Sequence, residues 1–398
     1  MLRIAEGKSS TYEQQEAALE GILDLCHQAR FIRDSYANLD CRIERSNVFE
    51  DICALLSKTA FPVNCPLRSV HLISLEGLLA VLNTLSSMIG PGAGEEDVVM
   101  EAGQYYADLW SALVEGREPR PEGSTSSTPD DVTAWVKAVR SEKYLKGRLN
   151  IAADHFNRDP KKGFHFLQTY KLLPDPLEAK AVACFLRACP GLHKKIIGTL
   201  LGEVHLKSKD KDNFYLEVLQ QFTDTFDFTG MKFDGALRLF LESFQLPGEA
   251  QKIDRIVNCF GTRYYQQNTT VLRSADATYV LAYSVIMLNT DAHNDQVKQK
   301  MTLEQFKRNN RGINDGESLP DDFQEELYNS IVSNAIKLQD SGPGGAGVMS
   351  AARWADLRRA SLLPRGQLTR RGKGVEAFDR DMFCLIWGPT VAAVSVVL

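Results

Sequence analysis

Two segments of the 398-residue chain gather residues able to act on a charged partner. The first is Phe244-Gln245-Leu246-Pro247-Gly248-Glu249-Ala250-Gln251-Lys252-Ile253-Asp254-Arg255. Pro247-Gly248 is expected to force a turn after an apolar helix and to hold the Glu249 carboxylate outward on a short stem. A carboxylate so held can repel an anion or attract a cation. The plainer reading is that Glu249 only charges the first turn of the next helix. The second segment, Ala277–Asn294, reads as a helix apolar all round that runs from Met287 and Leu288 into the polar residues Asn289, Thr290, Asp291, His293 and Asn294. An apolar floor beside a polar rim suits a partner-binding groove. The plainer reading here is a buried helix capped by Asn and Asp.

Other chemistries find less support. The spacing of Asp291, His293, Asn294 and Asp295 matches neither an EF-hand loop nor a zinc motif, so no metal site is expected. His155 and His165 flank Asn157–Gly163 without a Ser or Cys nucleophile pattern, and no Walker-type phosphate loop occurs. Neither covalent catalysis nor a cofactor is therefore expected. The eight cysteines form no CxxC pair and mostly lie in apolar stretches, which fits buried free thiols in a reducing compartment. A net charge of −5 gives no support to a general nucleic-acid-binding role.

Both segments need a rigid frame, and the periodicity predicts a helical one. Residues 12–89 read as helices from Ala18, Leu19, Ile22, Leu23 and Cys26, then Phe49, Ile52, Cys53 and Leu56, then Val70 to Leu82. Phe61-Pro62-Val63-Asn64-Cys65-Pro66 interrupts them, because proline lacks a donor and disfavours a helical residue before it. A short helix is expected around Tyr105–Val114. From Val132 to about Leu338 the chain reads as almost continuously helical. One apolar stripe there runs through Tyr215, Val218, Leu219, Phe222 and Phe226; another runs through Ala236, Leu237, Phe240, Leu241 and Phe244. Turns are expected at Gly163, Pro174–Pro176, Pro190-Gly191, Gly230 and Pro247-Gly248.

The expected organisation is a helical region at 1–115, a linker at 116–131, a main domain at 132–338, a second linker at 339–352 and the start of a further domain at 353–398. The fold class is all-α. The N-terminus lacks a signal-peptide pattern, and the apolar run after Pro389 is too short to span a bilayer, so any membrane contact is expected to be peripheral.

Phe244–Ala250 resembles the first motif of the Sec7 domain, with Gln245 where that family has Arg, and Tyr283–Asn294 resembles the second motif. Phe156–Gly163 is similar to the family's opening segment and Asn309–Asn314 to one near its end, so the likeness covers roughly residues 135–338. Tyr36–Cys41 resembles the homology-upstream-of-Sec7 box. Phe61–Leu67 and Trp387–Ala393 resemble flanking regions of the large Golgi exchange factors of the GNOM and Gea type. Relative to those proteins the chain is expected to be a fragment lacking the N-terminal dimerisation and cyclophilin-binding domain and most downstream domains.

This resemblance implies a helical Sec7 superhelix preceded by an upstream-homology region. It implies guanine-nucleotide exchange on Arf-family small GTPases, bound in their GDP and nucleotide-free forms. Glu249 would be the finger that approaches the β-phosphate and Mg²⁺. The GTPase groove would comprise Phe244, Leu246, Pro247, Gly248, Ala250, Tyr283, Ile286, Met287, Leu288, Asn289, Thr290, Asp291, His293 and Asn294. A brefeldin A pocket would comprise Tyr283, Ser284, Asp291 and Met301. The protein would be cytoplasmic and recruited peripherally to Golgi or endosomal membranes, with any dimerisation through regions outside this chain. The rival reading is a helical scaffold that binds Arf-type GTPases without exchange. The Val204–Asn213 stretch, with Lys207, Lys209 and Lys211, is expected to be a solvated surface insertion.

Overall fold

Helices form where apolar residues recur at helical spacing, and they start where a short polar side chain can satisfy their free N–H groups. Thr11 caps one helix with a reciprocal bond from Gln14, Thr302 caps another with Gln305, and Asp159 accepts from the Lys161 N–H with Pro160 beside it. The computed structural model describes residues 1–7, 10–43, 45–61, 66–86, 109–115, 132–203, 212–269, 272–294, 296–336 and 375–397. In chain order its helices are α1 (Leu2–Ala5), α2 (Tyr12–Cys26), α3 (Ala29–Ser35), α4 (Val48–Thr59), α5 (Ser69–Ser86), α6 (Leu109–Val114), α7 (Val132–Arg158), α8 (Pro160–Thr169), α9 (Ala179–Ala188) and α10 (Lys194–Gly202). There follow α11 (Asp212–Asp224), α12 (Phe233–Leu241), α13 (Ala250–Gln267), α14 (Ala275–His293), α15 (Leu303–Asn309), α16 (Asp321–Ser333) and α17 (Asp379–Val397). No β-strand occurs among the described residues, and a single isolated bridge joins Asn314 and Glu317. The all-α expectation holds.

The described residues divide into two units. One holds α1–α5, α7 as far as Leu149, and α17; the other holds α6, the rest of α7 and α8–α16. One boundary between the units thus falls inside α7, after Leu149, where no linker was expected; the expected linkers at 116–131 and 339–352 lie outside the described residues. Residues 375–397, expected above to open a further domain, instead complete the core of the first unit. Val375, Phe378, Met382, Ile386 and Ala393 join Leu19, Ile22, Phe49, Leu56, Leu78 and Val81 there. Their apolar face must be buried, and α4 and α5 offer a matching one.

In the same unit, a single π-helical turn at Tyr36–Asp40 turns the Asp40 carboxylate onto the N–H groups of Phe49 and Glu50, at 2.8 and 2.9 Å. Lys146 donates to the carbonyls of Leu39, Asp40 and Arg45 at 3.2, 3.1 and 2.7 Å. The box at Tyr36–Cys41 is therefore a buried junction between α4 and α7. Arg33 on α3 holds Asp379 on α17 through two bonds of 2.7 and 2.6 Å, both side chains buried. Among the described residues one helix, α5, is apolar and long enough to cross a membrane, with a mean hydropathy of 1.3. Val70, Leu78, Val81 and Leu85 of that helix are buried in the first unit's core.

The second unit is built on aromatic packing, with Phe222, Phe226, Phe228, Phe240 and Phe260 in mutual ring contact. Two expectations need correction. Gly163 is not a turn but lies buried within α8, where the absence of a side chain lets the helix pass over Phe156. Cys384 is exposed, unlike the buried Cys26, Cys41, Cys53, Cys184 and Cys189, because it sits on the outer side of α17. Residues 62–65 and 204–211, which carry the proline break and most of the Val204–Asn213 stretch, lie outside the described residues.

Candidate functional site

The apolar stripe of α12 ends at Leu241, and Phe244 folds back into the same core. Its ring meets Phe240 edge-on at 5.3 Å and Phe222 at 6.0 Å. The chain then leaves the core without regular secondary structure. The Gln245 N–H donates to the Lys194 carbonyl at 3.0 Å, at the start of α10. The Gln245 carbonyl passes so close to Gly198 that any side chain there would collide with it. The expected Pro247-Gly248 turn is accordingly only a bend at Gly248; the true turn lies earlier, at Glu242–Ser243. Tethering to α10 takes over the role assigned to Pro-Gly.

Leu246 and Pro247 are half-buried, whereas Gly248, Glu249 and Ala250 are exposed. Glu249 is the N-cap residue of α13 but makes no capping hydrogen bond with its side chain. That side chain is 71% exposed, and its Oε1 lies 2.8 Å from Lys252 Nζ. Lys252 is the residue that the sequence reading missed. The signal was available, since a Glu and a Lys three apart share one helix face.

Helices α13 and α14 pack along each other, and two contacts fix their relative direction. Tyr265 Oη donates to the Arg273 carbonyl across the connection at 2.7 Å. Further along, Gly261 touches the backbone of Tyr279. Tyr279 Oη also reaches Asp254, a hydrogen bond that pushes the tyrosine up to about 12. The two helices thus run antiparallel, with the head of α13 directed toward the C-terminal end of α14.

That end presents Met287, 54% exposed, with Thr290 and Asn294 exposed and Tyr283 and Asp291 half-buried. Tyr283, Met287 and Asn294 are spaced by four and seven and share one face, which Thr290 and Asp291 flank. Asp291 Oδ2 accepts from the Met301 N–H at 2.6 Å, and Met301 O accepts from Tyr328 Oη at 2.7 Å, so two of the four expected drug-pocket residues are in contact. Ser284 is half-buried on the same helix, and His293 Nε2 lies 2.8 Å from the Ile331 carbonyl.

Ile286, Leu288 and Asn289, expected to line the groove, point inward and are buried. Asn289 is 3% exposed; its amide accepts from the Ile336 N–H at 2.7 Å and donates to the Ile336 carbonyl at 3.2 Å. This is a structural clasp, since helical geometry turns Asn289 away from the face carrying Met287. Asn289→Ala is therefore expected to lower stability by about 2 kcal/mol, leaving two buried backbone groups unpaired. Met287→Ala should leave melting unchanged while removing an exposed apolar anchor. Thermal unfolding of the two variants side by side checks the contrast.

Among the described residues no group of three or more His, Cys, Asp and Glu is placed to hold a metal. Asp295 lies outside them. The Phe156–Gly163 segment is structural: the Asn157 amide donates to the Gly191 carbonyl at 2.8 Å and accepts from the His193 N–H at 2.7 Å. His155 stacks on Phe166 at 5.2 Å. Asn314 accepts from the Arg273 N–H at 2.8 Å and so ties the Asn309–Asn314 segment to the start of α14.

Residues 145–336 match the Sec7 domain and residues 1–48 match the Mon2/Sec7/BIG1-like HUS domain. The ARF guanine-nucleotide exchange factor GNOM of Arabidopsis thaliana is 45% identical over 398 residues, which is 100% of this chain and 26% of that protein. The brefeldin A-inhibited guanine nucleotide-exchange protein 2 of the same plant is 37% identical over 360 residues, covering 85% of this chain and 19% of the relative. The chain thus spans about a quarter or less of the length of the curated relatives it matches. The crystal structure of the Sec7p catalytic domain is 44% identical over 47% of this chain and 95% of that one, with a TM-score of 0.44.

Proposed function

The chain belongs to the Sec7-domain family, and from that premise we propose that it is a guanine-nucleotide exchange factor for Arf-family small GTPases, with Glu249 expelling GDP. The observation that carries this reading is the exposed Glu249 carboxylate at the head of α13, the helix that runs antiparallel to α14, whose C-terminal end exposes Met287. The GTPase switch regions would rest on Tyr283 and Met287, rimmed by Thr290, Asp291 and Asn294. Glu249 would then stand near the β-phosphate and the Mg²⁺ that the GTPase holds. A carboxylate beside phosphate oxygens repels them and competes for the cation, more strongly once docking has removed water. Nucleotide affinity falls and GDP leaves. GTP rebinds by mass action, because the factor stabilises only the nucleotide-free form. No covalent bond changes, so the protein is a regulator of its GTPase. Peripheral recruitment to Golgi or endosomal membranes belongs to the same proposal and rests on the resemblance to the large exchange factors.

Release of fluorescent GDP from a truncated Arf protein tests the reading. Acceleration is expected with this chain, whereas a scaffold without exchange activity would bind the GTPase and leave the release rate unchanged.

Brefeldin A is expected to inhibit that acceleration, and Met301→Pro with Tyr283→Phe is expected to relieve it. The one substitution removes the N–H that Asp291 accepts and stiffens the wall; the other removes a hydroxyl. A relative 37% identical carries brefeldin A inhibition in its name, which supports the expectation. A drug titration of exchange decides it: uninhibited wild-type protein would remove the pocket assignment while leaving the exchange assignment intact.

A further inference from the structure

We propose that Lys252 is a positioning residue for exchange, holding the Glu249 carboxylate in the conformation that meets the nucleotide. The inference rests on the reading of Glu249 as the group that expels GDP. Ion pairs between two mobile surface side chains contribute little, because both must be ordered to form them. Here one member is already ordered. Lys252 is only 20% exposed, and its stem lies along the end of α10. A Cβ built on Gly202 would stand 2.8 Å from Lys252 Cδ and 3.1 Å from its Cβ. One turn further, Arg255 Nη2 donates to the Gly202 carbonyl at 2.7 Å and fastens α13 to the same point.

The ammonium is therefore presented from a fixed base, and the 2.8 Å pair restricts a glutamate that would otherwise sample many rotamers. Ordering achieved before the partner arrives need not be supplied by docking. The pair also competes with a local alternative. Glu249 occupies the N-cap position, where a side-chain oxygen can fold onto the N–H groups of its own first turn. In this structure it makes no such bond, and Lys252 holds it instead.

The test is GDP release from truncated Arf, followed at several factor concentrations for wild type, Lys252→Met, Lys252→Arg, Glu249→Gln and the Glu249→Gln/Lys252→Met double variant. Methionine keeps the stem over Gly202 and removes the charge. Lys252→Met is expected to lower kcat roughly tenfold with KM changed less than about twofold, since misorientation affects the step and not the docking. Arginine should restore most of the loss. The double variant should be no slower than Glu249→Gln alone, because Lys252 acts only through that carboxylate. Wild-type kcat in Lys252→Met, or losses that multiply in the double variant, would overturn the inference. An inactive wild-type chain, or a Glu249→Gln variant as active as wild type, would instead overturn the reading beneath it and this inference with it.

Discussion

Glu249→Lys is expected to abolish accelerated GDP release, with a loss of about a hundredfold or more, while binding to nucleotide-free Arf survives. Losing one preorganised electrostatic contact at a functional centre typically costs that much. Here the sign is also reversed, so the new ammonium attracts the β-phosphate oxygens. Folding should be almost unaffected. The side chain is 71% exposed, and it pairs with the Lys252 ammonium. Replacing that pair by two lysines three apart costs a few tenths of a kcal/mol. The measurement pairs a GDP-release assay with calorimetric binding to nucleotide-free Arf. Release at the wild-type rate would remove Glu249 from the mechanism. Loss of binding together with loss of release would make it a docking contact.

The second large effect lies in the other unit. Arg33→Met is expected to destabilise the first unit by about 3–5 kcal/mol, because it leaves the Asp379 carboxylate buried without its partner. The pair is bidentate, at 2.7 and 2.6 Å, with both side chains buried. It joins residues far apart in sequence, so it closes a long stretch of chain as well as satisfying two charges. Arg33→Met with Asp379→Leu should recover much of the loss, since apolar residues of similar volume often replace a buried ion pair without penalty. Urea denaturation of the three proteins gives the comparison. A single variant within about 0.5 kcal/mol of wild type would be the result expected of a solvent-screened pair and would contradict the burial.

Local rules explain why much of the architecture was legible in the sequence. Helical periodicity depends on residues three and four apart, so it marks an apolar face without knowledge of the partner face. The stripes through Val218, Leu219 and Phe222 and through Ala236, Leu237 and Phe240 are buried as their spacing requires. The two motif segments were likewise recognisable as strings, with Glu249 and Met287 in place.

Which residues of those strings face outward was another matter. Leu288 and Asn289 sit next to Met287 in sequence, yet a helix turns each residue by about a quarter to a third of a circle, and only contact with Ile336 assigns Asn289 to the inside. The route of the Phe244–Glu249 segment was equally non-local. Its course depends on the Lys194 carbonyl and on the absence of a side chain at Gly198, neither of which its own residues reveal.

Residues 375–397 make the same point at the scale of a unit. Their apolar periodicity predicted helix without naming a partner, and the Arg33–Asp379 pair shows that the partner lies near the other end of the chain. Sequence by itself determined the helices, the identity of the motif residues and the charge at Glu249. Tertiary structure alone decided which face of α14 stays exposed, what covers α17 and where the units divide, because those depend on contacts between segments that no local pattern encodes.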